Sequence, residues 1–178
     1  MSVVADYLLR AKHWQIFVLL FGTFCVALSA ESLGIVGLLS WVALALAEIC
    51  FLFWLWSLGS FFGSIVPPAL RLNKGLFLFA LVYAPVYLFA FNVFFQDLRP
   101  LMLVFVFPLH LLAMFCMVYS FYFVSKSLML AERGDSISFR NYAGLFFLIW
   151  FFPIGVWVVQ PRVNLLYADK KNTGERNL

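Results

Sequence analysis

Apolar and polar positions alternate along the chain in blocks too long for a soluble helix or strand. Five apolar runs, residues 14–30, 35–66, 75–95, 100–124 and 142–160, are separated by short polar or proline-marked connections. About 20 mainly apolar residues cross the hydrocarbon core as a helix. The pattern therefore predicts an all-α integral membrane protein with four transmembrane helices and a fifth apolar segment, in one polytopic membrane domain over residues 1–178.

The first run follows Arg10 and Lys12 and ends in small residues, as a secretory signal peptide does. We expect it to be kept as the first membrane helix, with the preceding VVADYLLR as a short amphipathic turn at the interface. The second run exceeds a spanning length, so its helix must tilt or protrude before Pro67 and Pro68 stop it. Pro85 and Pro108 fall inside the third and fourth runs, where a membrane helix tolerates them as kinks. A polar loop is expected over 125–141, with Ser136 or Ser138 as N-cap of the last segment.

That last segment contains WFFPIGVWVVQPR, with Pro153 and Gly155 near its centre. Pro153 lacks an amide hydrogen and Gly155 weakens a helix, so a break from Pro153 to Gly155 is expected. The segment is then re-entrant or interfacial; the alternative is a kinked fifth span over 142–160. With a cytoplasmic N-terminus, Arg10, Lys12, Arg71, Lys74, Lys126, Arg133 and Arg140 fall inside and Arg99 outside. If the segment turns back, the tail 162–178 adds Arg162, Lys170, Lys171 and Arg176, and eleven of the twelve lysines and arginines are cytoplasmic. The positive-inside rule favours that arrangement. Backbone opened within hydrocarbon must be covered by protein or water, which favours the single pass.

Composition excludes a water-soluble fold: 65% of residues are hydrophobic, 11% are charged, and the mean hydropathy is +1.01. The net charge of +4 does not form a basic stripe, so no nucleic-acid partner is expected. Cys25, Cys50 and Cys116 lie in apolar runs without a metal-ligand spacing and read as small hydrophobes. With His13 and His110 the only histidines, no metal centre or cofactor is expected. No P-loop, H-E-x-x-H or G-x-S-x-G motif occurs, and the chain does not read as an enzyme.

Ionisable groups inside spanning runs are the default functional candidates. Glu48 and His110 are two, and a similar distance from the start of each run suggests a hydrogen-bonded pair. Such a pair either staples two helices or forms a proton-sensitive site. Gly59 and Gly63, with Ser60 and Ser64 beside them, form a small-residue face for close helix packing, within the chain or between subunits. Asn92 is a further candidate for an interhelical bond, and Trp14, Tyr142 and Trp157 for interface anchoring.

The expected function is a non-enzymatic membrane subunit that assembles with itself and anchors or signals to a cytosolic protein, as a membrane sensor or scaffold. Its docking surface would include Arg133, Asp135 and Arg140 of the loop and Arg162, Lys170 and Lys171 of the tail. One alternative is a small homo-oligomeric ion channel or proton-coupled transporter using Glu48 and His110. Another is an accessory subunit of a larger membrane complex. Both termini are expected in the cytoplasm, with the chain in a plasma or inner membrane and membrane lipid around it.

Overall fold

The computed structural model describes residues 3–32, 38–94 and 100–176, and all regular structure among them is helical. Helix α1 (Val3–Arg10) ends at a two-residue elbow. The first apolar run follows as α2 (His13–Phe17), a π-helical turn (Val18–Gly22) and α3 (Thr23–Ser32), without interruption. The Thr23 hydroxyl donates back to the carbonyls of Leu19 and Leu20 at 2.7 and 3.1 Å, within the widened turn. Next come α4 (Leu38–Ile65), α5 (Lys74–Phe94) and α6 (Pro100–Arg133), then α7 (Phe139–Trp150) and α8 (Phe152–Arg176).

Among the described residues, three helices are long and apolar enough to cross a membrane, over Val42–Ile65, Lys74–Phe91 and Val104–Arg133. The apolar helix His13–Ser29 falls below that length among the described residues. With 28 residues, α4 is about 42 Å long, beyond the ~30 Å hydrocarbon core. The proline at 85 lies inside α5 and the one at 108 inside α6, and both helices continue through them.

One expectation needs correction. Residues 125–133 are not loop: α6 runs on to Arg133, which leaves 134–138 as the connection. Two of the polar residues in this stretch bond within the helix. Ser125 donates to the Tyr122 carbonyl at 3.1 Å, and the Lys126 ammonium donates to the Tyr122 hydroxyl at 2.9 Å. The apolar face of Val124, Leu128 and Leu130 is meanwhile buried. Gly134 ends the helix with φ +73°, a left-handed C-terminal turn that glycine adopts without penalty, and its N–H donates to the Leu130 carbonyl at 2.9 Å. The tail is helical as far as Arg176. Val163 in that tail is fully buried, so tertiary contact supplies what its charged sequence lacks.

Pairs α3–α4 and α5–α6 pack along their lengths, while α4 meets α6 mainly through residues near its C-terminal half. Large buried side chains gather at one end of the bundle: Trp54, Phe61 and Phe62 of α4, Phe77 of α5, Phe123 and Leu128 of α6, and Ile149 and Val156 of the last two helices. Toward the other end, α5 and α6 cover little but each other. Val82, Val86, Val104, Phe105 and Phe107 are all more than half exposed. Such faces suit hydrocarbon, which covers them without a protein partner.

Candidate functional site

The C-terminal hairpin closes the packed end. Ser138 caps α7, its N–H and hydroxyl both donating to Asn141 Oδ1, at 3.0 and 2.8 Å. This is one of the two serines the sequence nominated. At 12 residues α7 is about 18 Å long and too short to cross a bilayer. The helix breaks at Phe151 (φ −91°, ψ 59°), ahead of the expected Pro153 to Gly155. Pro153 instead sits in the first turn of α8, where a helix has no use for an amide hydrogen. Gly155 acts through its missing side chain. A Cβ there would lie 1.6 Å from the Leu148 carbonyl oxygen, so only glycine lets α8 fold back so closely on α7.

As a result α8 returns to the end from which α7 started. Arg162 on α8 makes a two-pronged contact with the Glu132 carboxylate near the end of α6, one bond at 2.7 Å from Nε to Oε1 and a second from Nη2 to Oε2. Farther along, the Lys170 ammonium donates to the Ser64 hydroxyl at the end of α4, 2.8 Å away, and stands 5.5 Å over the Phe61 ring. The Tyr167 hydroxyl donates to the Asp6 carboxylate of α1 and accepts from Arg10 at 3.2 and 3.3 Å. Arg10 also pairs with Asp6 at 2.9 Å. The Tyr167 hydroxyl and the Asp6 charge raise the Arg10 pKa above its ordinary value, so it stays cationic.

Beneath this surface is a polar knot that the sequence did not single out. Gln160 is fully buried. Its amide nitrogen lies 2.9 Å from the Leu8 carbonyl, 3.1 Å from the Ala11 carbonyl and 3.2 Å from Asn164 Oδ1, and its oxygen accepts from the Trp54 indole N–H at 3.2 Å. Asn164 also donates to the Ala11 carbonyl, at 3.2 Å. The carbonyls freed where α1 ends and the chain bends into α2 are thus capped by a side chain from the other end of the sequence, as buried carbonyls require. The only advance signal was a glutamine within an apolar run.

The nominated residues fare unevenly. Gly59 is filled from within: a Cβ there would lie 2.6 Å from the Phe77 ring and 3.3 Å from that of Phe123, which stack with centroids 4.2 Å apart. Gly63 has open space around it, Ser64 holds Lys170, and the Ser60 hydroxyl is buried without a partner among the described residues. His110 lies against Tyr87, with Nδ1 3.4 Å from the hydroxyl, and next to the Phe91 ring. Glu48 is half-buried on α4 and makes no hydrogen bond or ion pair with a described residue. The structure therefore does not join Glu48 to His110. Arg133, Asp135 and Arg140 are exposed around the 134–138 connection, on the end that carries Arg162, Lys170 and Lys171. Trp14 is half exposed, Tyr142 is buried, and Trp157 packs against His13 and Phe17. Arg99 and the Asn92 side chain lie outside the described residues.

No group of three or more His, Cys, Asp and Glu is placed to hold a metal among the described residues, and Cys25, Cys50 and Cys116 are free thiols. Compared with protein-family models, curated proteins and solved structures, the chain matches none of them. What the arrangement offers is therefore read from its own geometry: a charged surface at one end, assembled from α1, the end of α6 and α8.

Proposed function

We propose that this chain is a non-enzymatic polytopic membrane subunit that presents a composite cytoplasmic platform to a soluble protein. The platform joins α1, the 134–138 connection and α8, and the last apolar segment enters the membrane as a hairpin without crossing it. One observation carries this reading: Arg162 meets Glu132 and Tyr167 meets Asp6, so the tail, the connection and the N-terminal helix share one end. Under this topology the first apolar run is a fourth crossing. The lysines and arginines at that end then satisfy the positive-inside rule. The break leaves the Phe151 backbone paired: its N–H donates to the Phe147 carbonyl at 2.8 Å, and its carbonyl accepts from Ile154 and Gly155 at 3.0 and 2.9 Å, as a turn at membrane depth requires.

The test is the side of the C-terminus. A single cysteine at Leu178, in a background lacking Cys25, Cys50 and Cys116, is protected from an impermeant maleimide in intact cells and labelled after permeabilisation. Labelling of intact cells would establish an odd number of crossings and split the platform. Self-assembly is a separate part of the proposal. Gly59 is engaged within the chain, so Gly63 and its open surroundings are the available contact. A strictly monomeric particle in mild detergent removes that part alone.

A second reading is favoured by Glu48, a carboxylate on a spanning helix with no partner among the described residues. A channel or proton-coupled carrier would use it. Liposome flux unchanged by Glu48→Gln rejects this.

A further inference from the structure

Within the span Val42–Ile65 the sequence places a single charged side chain, Glu48. It lies six residues from Val42, about 9 Å into the span at ~1.5 Å per residue. Glu48 is half-buried, next to Ile49, which is 58% exposed, and within a turn of Leu46, 53% exposed. No donor among the described residues reaches its carboxylate, and those of the neighbouring segments are engaged elsewhere. Thr23 of α3 bonds to the Leu19 and Leu20 carbonyls, Ser57 of α4 to the Phe53 carbonyl, and the Trp54 indole to Gln160. His110, the group that sequence position paired with it, is turned to Tyr87 and Phe91.

We propose that Glu48 is the attachment point for a membrane helix of another protein, and that this helix carries a lysine or arginine at the same depth. A carboxylate inside hydrocarbon needs hydrogen-bond donors and a compensating charge, and ionisable side chains at that depth occur paired. Lipid tails supply neither. A basic side chain supplies both, and it bears the same cost as Glu48 when it stands alone in the bilayer. Pairing removes both penalties at one contact, so charge complementarity selects the partner where an apolar face alone would not. The exposed side chains beside the carboxylate, Val42, Leu46 and Ile49, give the incoming helix van der Waals contact around the pair. This partner lies within the bilayer and is distinct from the soluble protein of the platform. The side of the C-terminus does not enter the inference, so the two proposals fail separately.

The experiment uses the full chain, labelled with a donor dye, in phosphatidylcholine liposomes with an acceptor-labelled peptide of 24 leucines and alanines. Lysine replaces the seventh residue, the place Glu48 holds in its own 24-residue span. Energy transfer against peptide-to-lipid ratio gives the affinity. The lysine peptide binds at least about tenfold more tightly than peptides with glutamine or leucine at that place, the effect of a hydrogen bond to a charged group. An arginine peptide shares the advantage, Glu48→Asp keeps it, and Glu48→Gln removes it. The peptide comparison is made on the unaltered protein, so it remains decisive if Glu48→Gln fails to fold. Equal binding of the lysine and leucine peptides overturns the proposal, leaving an apolar face without selectivity. Equal binding of the lysine and glutamine peptides overturns it too, since a neutral carboxyl would then be the recognised form. A lysine preference that survives Glu48→Gln removes Glu48 from the contact. Transfer between two differently labelled copies of the chain that is lost in Glu48→Gln would give the site to a second copy, and likewise overturns the assignment.

Discussion

Replacing Gln160 by leucine removes a polar group while keeping roughly the same volume. The side-chain amide has two hydrogens and three acceptors in reach, so at most two of its donor bonds are well formed at once. Adding the bond accepted from Trp54, the substitution removes about three hydrogen bonds. At the ~0.6 kcal/mol measured on average for interhelical bonds in membranes, the loss is about 2 kcal/mol. A second route begins from the groups left behind. Ala11 keeps its bond from Asn164, but the Leu8 carbonyl and the Trp54 indole N–H lose theirs. Two buried orphans at ~1–3 kcal/mol each give about 2–6 kcal/mol. Both routes place the destabilisation at about 2 kcal/mol or more. SDS titration of the protein in nonionic micelles, followed by far-UV ellipticity, measures it. Trp54→Phe removes the indole donor and also leaves a cavity beside it, so the informative comparison is the double variant with Gln160→Leu, which should cost less than the sum because both single changes break the same bond. A Gln160→Leu variant within about 0.5 kcal/mol of wild type, the range of an ordinary surface change, refutes the knot as a source of stability.

Gly155→Ala should disrupt the hairpin more than any other single methyl: the new carbon would fall 1.6 Å from the Leu148 carbonyl oxygen, so α7 and α8 must separate. We expect a loss of at least the ~1–3 kcal/mol of ordinary overpacking and faster proteolysis between 134 and 162, read by limited trypsin digestion. The small-residue face gives a paired comparison. Gly59→Ala collides with the Phe77 ring at 2.6 Å and should lower the SDS midpoint, whereas Gly63→Ala meets nothing within 4 Å and should leave it unchanged or raise it by the helix-propensity difference of up to about 1 kcal/mol. Equal effects at the two glycines would contradict the internal packing of Gly59.

Helix positions were readable in the sequence because apolar run length is a strong signal in a membrane protein, and α4 and α5 begin and end within a few residues of runs 35–66 and 75–95. The polar cluster Ser125, Lys126 and Ser127 concealed the continuation of α6. Hydropathy counts those residues against a membrane helix, although Ser125 bonds to the preceding turn and Lys126 reaches the Tyr122 hydroxyl. Local composition also concealed the helicity of the tail, since contacts with α1 and α4 lie outside any sequence window. Proline and glycine pointed to a break at 153–155, whereas the helix ends at Phe151. Their positions differ from it because each acts on a neighbour, Pro153 by starting α8 and Gly155 by admitting Leu148. For the candidate site, depth along a run could not show which face each side chain takes, so Glu48 and His110 looked paired when His110 lies against Tyr87. Gln160 was passed over because one glutamine shows nothing of partners 152 and 149 residues away.

That separation also orders events in time. The elbow after α1 emerges among the first segments of the chain, yet the side chain that caps Leu8 and Ala11 follows 152 and 149 residues later. At about 5–20 residues per second of synthesis, the interval is roughly 8–30 s. Throughout it the N-terminal helix has no clasp, and its freed carbonyls must be satisfied by water at the membrane surface. A chain that ends between residues 134 and 160 therefore has every long apolar helix made while the Leu8 and Ala11 carbonyls still lack their cap, a physical difference by which quality control can tell an unfinished chain from a complete one.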